Sequence, residues 1–437
     1  MEIPLILTVT LTYMRVAIIG AGFGGLAIAY KLANKGMDVT VFESDKQPGG
    51  LAIGFKEVKW DWSIEKHYHH WFTSDWSVRN LAKEIGHKVI VIRPKTSTLI
   101  DGQIKQLDSP LSLLLFDKLP LLDRLRMAAV LTYLKLTPYW QPLERITAEK
   151  FIKKYMGATS WKVLWEPLFK GKFDKYLDEI SAAWFWARIK KRTTSLCYPE
   201  GGFLKFAENL TKSIKEKGGK FLFNTPVHSI IKINNVFHIK TADKNYEFDR
   251  VICTLPSPLF VNITRNLPKK YVIEILNLKG IGAVNMVLSL KKQFLTDGTY
   301  WLNINKAEHP FLAVVEHTNF MDKVNYNNQH LLYIGNYVDH SHEYFKFSED
   351  QMFYEFYDSL KKINPDFNEK WVTKKNLFKA YFAQPIYNLN YSHKLPDFKT
   401  PIEGLFLCNI QQVYPWDRGT NYAVENGEKV AELVLNS

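Results

Sequence analysis

Cysteine is scarce in this sequence, which has three cysteines among 437 residues. Cys197, Cys253 and Cys408 lie far apart and are odd in number. They therefore provide neither a disulfide framework nor the paired spacing of a zinc site. So little cysteine fits a reducing compartment, and we predict a cytoplasmic protein.

Long apolar runs are also missing, since no stretch reaches the roughly eighteen residues that a membrane-spanning helix requires. Residues 1–13 are apolar but short, and they lack the basic start and small-residue cleavage site of a signal peptide. Met14 resembles a natural start, so we expect residues 1–13 to be an alternative translation start or a disordered extension. Peripheral contact with the inner face of a membrane stays open as an alternative to a purely cytoplasmic location.

Positive charge is plentiful but is not concentrated in one block. The formal net charge is +13, which favours acidic partners in general. Because the lysines are spread along the chain, we expect no nucleic acid partner. Three neighbouring histidines, His67, His69 and His70, suggest a metal at first sight, but neither helical nor strand spacing brings them together. No cysteine nearby completes a ligand set, so we predict no metal site.

A glycine-rich loop organises the first part of the chain. Residues 16–19 form a short apolar run typical of a buried parallel strand, and Gly20-x-Gly22-x-x-Gly25 follows where a helix should begin. Glycines in this pattern allow a tight turn, close approach to a pyrophosphate and tight helix packing. A second strand, residues 39–42, ends at Glu43, about twenty residues on, where an acid accepts hydrogen bonds from a ribose. These features predict a dinucleotide site that disfavours NADP.

A second glycine pair, Gly49-Gly50, follows the acid and resembles the extended nucleotide motif of a flavoprotein superfamily. That superfamily contains amine oxidases, protoporphyrinogen oxidase, phytoene and carotene desaturases and UDP-galactopyranose mutase. The resemblance implies FAD, with the glycine pair bringing backbone close to the flavin. Relatives often carry arginine at two positions where this chain has Gln47 and Leu51, which departs from the amine-oxidase branch.

Two later stretches carry the same resemblance. The turn Tyr198-Pro-Glu-Gly-Gly-Phe203 resembles the return of the chain to the FAD domain, and it implies a backbone contact between Val227 and the adenine. The strand at 404–409, the loop at 414–421 and the helix that follows resemble the last FAD-binding motif, with Asn409 in place of an acid. The residues predicted to bind FAD are Gly20, Gly22, Phe23, Gly24, Gly25, Glu43, Ser44, Gly49, Gly50, Leu51, Val227, Asn409, Asn421, Tyr422 and Ala423.

Candidates for substrate chemistry come from two other places. His69 and His70 lie in a segment resembling the His-x-Phe stretch beside the isoalloxazine in mutases and protoporphyrinogen oxidase, although a simple packing cluster is the alternative. Predicted strands at 283–290, 311–319 and 331–337 would form an antiparallel sheet over the flavin. Polar or aromatic groups of that region, which are either substrate contacts or exposed strand ends, give the candidates Trp301, Glu316, His317 and Asn319. Among them, His317 joins His69 and His70 as a catalytic candidate.

Residues 110–140 are rich in leucine and are interrupted by charged residues, a pattern that predicts amphipathic helices on either side of Pro120. Three roles fit such helices: lining a substrate cavity, packing in the core, or docking on a membrane surface.

These patterns together predict an α/β fold with a discontinuous Rossmann-like FAD-binding domain and a substrate domain of antiparallel sheet plus helices. We expect residues 14–75, 198–268 and 400–437 in the FAD-binding domain, and residues 76–197 and 269–399 in the substrate domain.

The resemblance implies an FAD-dependent oxidoreductase that removes hydride from an apolar or amphipathic small molecule, in the manner of protoporphyrinogen oxidase or a desaturase. Two alternatives stay open. A flavin-dependent sugar-nucleotide mutase would suit the positive charge and the histidines, and a flavin-binding protein without catalysis would need neither.

Overall fold

The computed structural model describes residues 14–305 and 308–437, apart from the side chain of Pro110. Its strands are β1 (Arg15–Ile19), β2 (Asp38–Phe42), β3 (Gly54–Phe55), β4 (Ile64–Glu65), β5 (Trp71–Phe72), β6 (Val89–Ile92), β7 (Lys95–Ile100), β8 (Gln103–Gln106), β9 (Leu196–Pro199), β10 (Lys220–Leu222), β11 (Ser229–Ile233), β12 (Val236–Lys240), β13 (Asn245–Phe248), β14 (Arg250–Cys253), β15 (Gly280–Leu290), β16 (Thr299–Ile304), β17 (Ala313–Glu316), β18 (His330–Val338), β19 (Val372–Pro385) and β20 (Leu405–Leu407). Its helices are α1 (Phe23–Ala33), α2 (Trp76–Glu84), α3 (Pro110–Leu114), α4 (Leu121–Leu136), α5 (Ala148–Met156), α6 (Ala158–Ser160), α7 (Glu166–Phe173), α8 (Ala182–Lys191), α9 (Phe203–Glu216), α10 (Ser257–Ile263), α11 (Lys269–Leu276), α12 (Glu349–Ile363) and α13 (Thr420–Leu435).

A five-stranded parallel sheet joins segments that are far apart in the sequence, in the order β10-β2-β1-β14-β20. Ala17 of β1 lies opposite Thr40 of β2 on one side and Val251 of β14 on the other. The central strands are apolar because both sheet faces are covered. Helices α1, α9 and α13 pack in the apolar cluster on one face, and the β11-β12-β13 sheet with α10 and α11 covers the other. The two strands and the helix predicted around the glycine loop are confirmed.

A seven-stranded sheet has the order β19-β15-β18-β17-β16-β7-β8, and all of its neighbouring strands are antiparallel except β16 and β7. The predicted strands at 283–290 and 331–337 are confirmed as β15 and β18. The strand predicted at 311–319 is shorter, since β17 ends at Glu316 and a 3-10 turn, His317–Asn319, follows. The chain turns there because the Glu316 carboxylate accepts backbone N–H bonds from Phe294 and Leu295.

Helices α3 to α8 form a block around an aromatic core. Trp161, Trp184 and Trp186 are buried in it, and a π-helical turn, Trp161–Trp165, precedes α7. Pro120 stands immediately before α4, where its missing N–H costs nothing, so the helices predicted around this proline are confirmed. In the part of the chain that the structure describes, no helix combines the length and apolar character needed to cross a membrane.

Candidate active site

The first helix begins at the glycine loop without any side-chain cap. Gly22 is the N-cap of α1, and the first turn of that helix contains no acidic residue. A Cβ on Gly25 would lie 2.0 Å from the carbonyl oxygen of Gly20, so only glycine permits this contact of helix with strand. The N-terminal N–H groups of α1 and the helix dipole therefore remain available for an anion such as a pyrophosphate.

The predicted ribose acid lies beside this loop. One carboxylate oxygen of Glu43 accepts a hydrogen bond from the Ala21 amide at 2.7 Å, and the other accepts from the Asp45 amide at 2.9 Å and the Ser44 hydroxyl at 3.1 Å. These bonds fix the carboxylate at the end of β2. The oxygen that accepts from Ala21 has a second lone pair, with which it can accept a bond from a ribose hydroxyl.

The second glycine pair and the last helix close around the same place. A Cβ on Gly50 would lie 2.8 Å from the Cα of Gly22, and a Cβ on Gly24 would lie 3.3 Å from the carbonyl oxygen of Ala423 in α13. Helix α13 also begins without a side-chain cap or an acid in its first turn. Two uncapped helix ends and a cradle of glycine backbone fit FAD.

Several residues predicted to bind FAD use their polar side chains within the protein. The Asn409 side chain accepts a bond from the Gln411 amide at 3.1 Å and donates to the Ser257 hydroxyl at 3.2 Å. Asn421 accepts from the Val78 amide at 3.2 Å, which ties α13 to α2. The site therefore offers FAD more backbone than polar side chain.

The remaining predicted cofactor residues supply apolar or aromatic surface. Phe23 stacks on Phe206 with ring centroids 5.4 Å apart, and Tyr422 stacks on Trp416 at 5.9 Å. Val227 is half-buried and packs against the cluster below the parallel sheet.

A cavity of about 470 Å³ lies between the helical block and the seven-stranded sheet. Apolar side chains from α4, α7 and α8 form much of its wall, and the sheet contributes Tyr300, Trp301 and Asn303. His70 also lines it and shares a hydrogen bond of 3.1 Å between Nδ1 and the Tyr300 hydroxyl. Two of the predicted site residues, His70 and Trp301, are thus brought together here.

The segment 67–70 separates this cavity from a second, smaller one. His67, Tyr68 and His69 line the smaller cavity together with Leu51, which follows the glycine pair of the cofactor cradle. Residues 67–70 therefore lie between the predicted cofactor site and the larger cavity.

The histidines of this segment are held neutral. Burial, together with the smaller effect of the nearby positive charge of Arg192, lowers the pKa of His70 to about 3. Burial also lowers the pKa of His69 to about 4, even though its Nδ1 lies 2.6 Å from the His67 carbonyl oxygen. Neither ring carries a charge near neutral pH, so both act as hydrogen-bonding groups rather than as cations.

The other sequence candidates do not reach either cavity. Glu316 is fully buried and binds two backbone amides, as described above. Asn319 donates to the carbonyl oxygens of Leu295 at 2.9 Å and Thr299 at 2.8 Å. His317 is buried with its Nε2 2.8 Å from the Tyr326 hydroxyl. All three bind neighbouring parts of the protein and thereby hold the sheet and its loops together.

A charged cluster next to α13 is largely invisible in the sequence. The Asp417 carboxylate lies 2.8 Å from Arg188 and 3.7 Å from Lys172, and it accepts bonds from Trp184 at 3.0 Å and Gln384 at 3.2 Å. Although burial opposes ionisation, the ammonium of Lys172 and the guanidinium of Arg188 hold the pKa of Asp417 below its usual range. The spacing of Trp184 and Arg188, four residues apart on a helix, was the available signal.

A second buried acid, Glu65, was also missed. It accepts bonds from the Tyr198 hydroxyl at 2.9 Å and the Phe203 amide at 3.1 Å, and its own carbonyl accepts from the Tyr333 hydroxyl at 2.8 Å. Burial raises the pKa of this carboxyl to about 8 despite those donors. Glu65 thereby connects the start of α9 to strand β18.

Comparison with known proteins gives this geometry a context. The sequence profile of flavin-containing amine oxidoreductases matches residues 23–435. A short segment is 61% identical over 36 residues to protoporphyrinogen oxidase 2 of Arabidopsis thaliana, and another match is 56% identical over 50 residues to the zeta-carotene-forming phytoene desaturase of Myxococcus xanthus. These matches cover 8% and 11% of this chain, and they span only 7% and 10% of the curated relatives.

Solved structures resemble the whole chain. An oxidoreductase from Methanosarcina mazei has a TM-score of 0.74 at 20% identity, covering 96% of this chain and 100% of the other. Reduced UDP-galactopyranose mutase has a TM-score of 0.73 at 14% identity, covering 96% of each chain. At such identities the likeness concerns the fold alone.

Proposed function

The chain belongs to the family of flavin-containing amine oxidoreductases, and on that premise we propose that it is an FAD-dependent oxidoreductase that oxidises an apolar or amphipathic small molecule in the larger cavity. Bound FAD supplies the redox chemistry by accepting a hydride from a C–H bond of the substrate. The cradle of Gly22, Gly24 and Gly50, the first turns of α1 and α13, and the Glu43 carboxylate would hold it.

The arrangement of segments supports a division of labour between two domains. We propose that residues 14–75, 198–268 and 400–437 bind the cofactor and that residues 76–197 and 269–399 bind the substrate. Every strand of the parallel sheet falls in the first group, and every strand of the seven-stranded sheet falls in the second.

The observation that carries the proposal is the larger cavity. Its volume of about 470 Å³ lies within the range of small-molecule sites, and its mainly apolar wall would exclude water from the reacting carbon. Met127, Leu131 and Leu168 would bind the substrate body, while Trp301 and Asn303 would orient it.

Its polar groups suggest how the substrate is positioned. His70 stays neutral and is bonded to Tyr300, so it would position a substrate by hydrogen bonding and would not take up its proton. Arg192 also lines the cavity and, among the described residues, its guanidinium forms no ion pair. A mainly apolar substrate with an acidic end would accept a hydrogen bond from neutral His70 or pair with the Arg192 guanidinium.

Anaerobic titration tests this function. Purified protein loaded with FAD is mixed with a panel of lipophilic and amphipathic compounds, and loss of the absorption of oxidised flavin reports hydride transfer. We expect bleaching by compounds that carry an apolar body, and no bleaching by polar compounds of equal size.

Two outcomes would contradict the proposal. Conversion of a nucleotide sugar by pre-reduced protein, without any electron acceptor, would favour mutase chemistry. Stable FAD binding with no bleaching across the whole panel would favour a binding role.

A further inference from the structure

We propose that helices α3 and α4 dock the protein on a lipid bilayer with anionic headgroups. A second clause, that the larger cavity opens toward this lipid, rests on the proposed function.

Helix α4 is apolar on two faces, and only one of them is covered by described residues. Met127 and Leu134 are buried in the helical block. On another face, Leu122 is 66% exposed and Leu136 is 72% exposed. Leu122, Leu125, Ala129, Tyr133 and Leu136 follow one another at intervals of three or four residues, which places them on one side of the helix. An uncovered apolar stripe of this length marks a contact surface.

Helix α3 extends the same surface. Leu111 is 65% exposed and Leu115, the residue after the helix, is 71% exposed. The side chain of Ser109 caps the helix by accepting the Ser112 amide at 3.1 Å, and the Arg124 guanidinium donates to the Leu114 carbonyl oxygen at 2.6 Å. The leucines are therefore presented outward by ordered, mutually connected helices.

The charged side chains near the exposed leucines favour an anionic lipid surface as the partner. Residues 110–139 contain four cationic side chains, Lys118, Arg124, Arg126 and Lys135, against two acidic ones, Asp117 and Asp123. Asp117 is bonded to Lys105 at 2.6 Å, Lys118 lies 3.1 Å from Asp101, and the buried Asp123 lies 3.7 Å from Arg126. Among the described residues, Arg124 and Lys135 are therefore the cations of this segment without an ion pair. Leucines flanked by arginine and lysine match an acyl region beneath anionic headgroups.

An exposed tyrosine completes the pattern. Tyr139 follows α4 and is 69% exposed. Tyrosine is favoured at the boundary between acyl chains and headgroups, because its ring is apolar and its hydroxyl is polar.

Part of the exposed rim of the larger cavity lies beside this surface. Thr132 and Leu136 line the cavity, and both are exposed. Behind them, Met127, Ala128 and Leu131 continue the wall inward. An apolar substrate would pass from lipid into the cavity without crossing water. The exposed leucines would therefore serve substrate entry as well as docking.

Vesicle flotation of the full chain loaded with FAD tests the docking. We expect binding to vesicles of phosphatidylcholine with about 30% phosphatidylglycerol and weaker binding to vesicles of phosphatidylcholine alone. Binding to the anionic vesicles should also weaken in about 0.5 M NaCl, because salt screens the attraction between cationic side chains and headgroups. The triple variant Leu115→Gln, Leu122→Gln, Leu125→Gln should lose at least about tenfold of the partition coefficient, since three apolar side chains no longer enter the acyl region.

The matched control is the pair Ile273→Gln, Leu276→Gln on α11, which also removes exposed apolar side chains from a helix and should leave flotation unchanged. Equal flotation of the triple variant and the wild type would overturn the proposal. A dimer that the triple variant converts to monomer, without any vesicle binding by the wild type, would instead assign the surface to a second copy. If the wild type does not float and a variant lacking residues 2–13 does, the exposed surface is assigned to residues 2–13 as its occupant. Flavin bleaching in detergent reports the proposed function separately, so the two can fail independently.

Discussion

The two halves of the candidate site are built from different materials. Around α1 and α13 the protein offers backbone: glycines that approach each other and helix ends without caps. Around the larger cavity it offers side chains from α4, α7, α8 and the seven-stranded sheet. A backbone cradle suits a cofactor that every family member shares, whereas side chains can be exchanged to fit a different substrate without changing the fold.

The largest effect should come from a methyl group added to the backbone half. In Gly50→Ala the new Cβ would lie 2.8 Å from the Cα of Gly22 and would push the cradle apart. We expect FAD affinity to fall by at least about a hundredfold, roughly 2.7 kcal/mol, measured by flavin fluorescence titration.

Gly36→Ala is the matched control for that change. Gly36 also has a positive φ, of 77°, but a Cβ there meets no atom within 4 Å. It should cost about 1 kcal/mol of stability and leave FAD affinity intact. Normal affinity in Gly50→Ala would mean that the cradle is not where FAD binds.

The next effect tests the charged cluster beside α13. Asp417→Ala removes the shared partner of Lys172 and Arg188 and leaves two cations near one another. We expect the free energy of unfolding to fall by about 2 kcal/mol, less than the roughly 3–5 kcal/mol of a fully buried pair, because Arg188 is half-exposed. Denaturant unfolding measures this loss.

Asp350→Ala serves as its comparison, since Asp350 pairs with Lys375 at the surface. That change should cost no more than about 0.5 kcal/mol. Equal losses in the two variants would show that the Asp417 cluster behaves as an ordinary surface pair.

A smaller effect separates the two sides of α4. Ala128 lines the larger cavity, whereas the next residue, Ala129, faces outward. Ala128→Phe should lower kcat/KM for the bleaching substrate by about tenfold, roughly 1.4 kcal/mol, with an unchanged flavin spectrum. Ala129→Phe should leave kcat/KM unchanged when both variants are assayed in detergent, without a bilayer, and equal losses would contradict a substrate site in this cavity.

The last prediction concerns the pH dependence of stability and Glu65, which joins the halves through Phe203 and Tyr333. Its carboxyl loses its proton near pH 4.5 in the unfolded chain, but burial raises the folded pKa to about 8. Unfolding between these values releases a proton, so stability falls as pH rises through the window, by at most about 1.4 kcal/mol per pH unit.

Glu65→Gln should remove that slope while keeping acceptors for Tyr198 and Phe203. The histidines of the site have lowered pKa values and act in the opposite sense below pH 6.5, so the comparison is sharpest between pH 6.5 and 8. Identical pH dependence of wild type and variant in denaturant unfolding would show that Glu65 is ionised when folded.

What the sequence could predict follows the same division. Glycines at fixed intervals have few roles, so the loop at 20–25 and the pair at 49–50 predicted the parallel sheet, α1 and the cofactor. Glu316 and Asn319 look identical in sequence whether they face a ligand or bind neighbouring backbone, and the structure shows the second. Lys172, Arg188 and Asp417 meet only through tertiary packing, which local patterns do not encode.

The contact between α1 and α13 has a consequence for synthesis. Lys31 and Glu432 form an ion pair of 2.6 Å although they are 401 residues apart in the sequence. At about 5–20 residues per second, a ribosome needs roughly 20–80 s to extend the chain from one to the other. The first β-α-β unit must wait that long for the helix that completes the proposed cofactor cradle. We therefore expect a nascent chain stalled before α13 to fail to retain FAD.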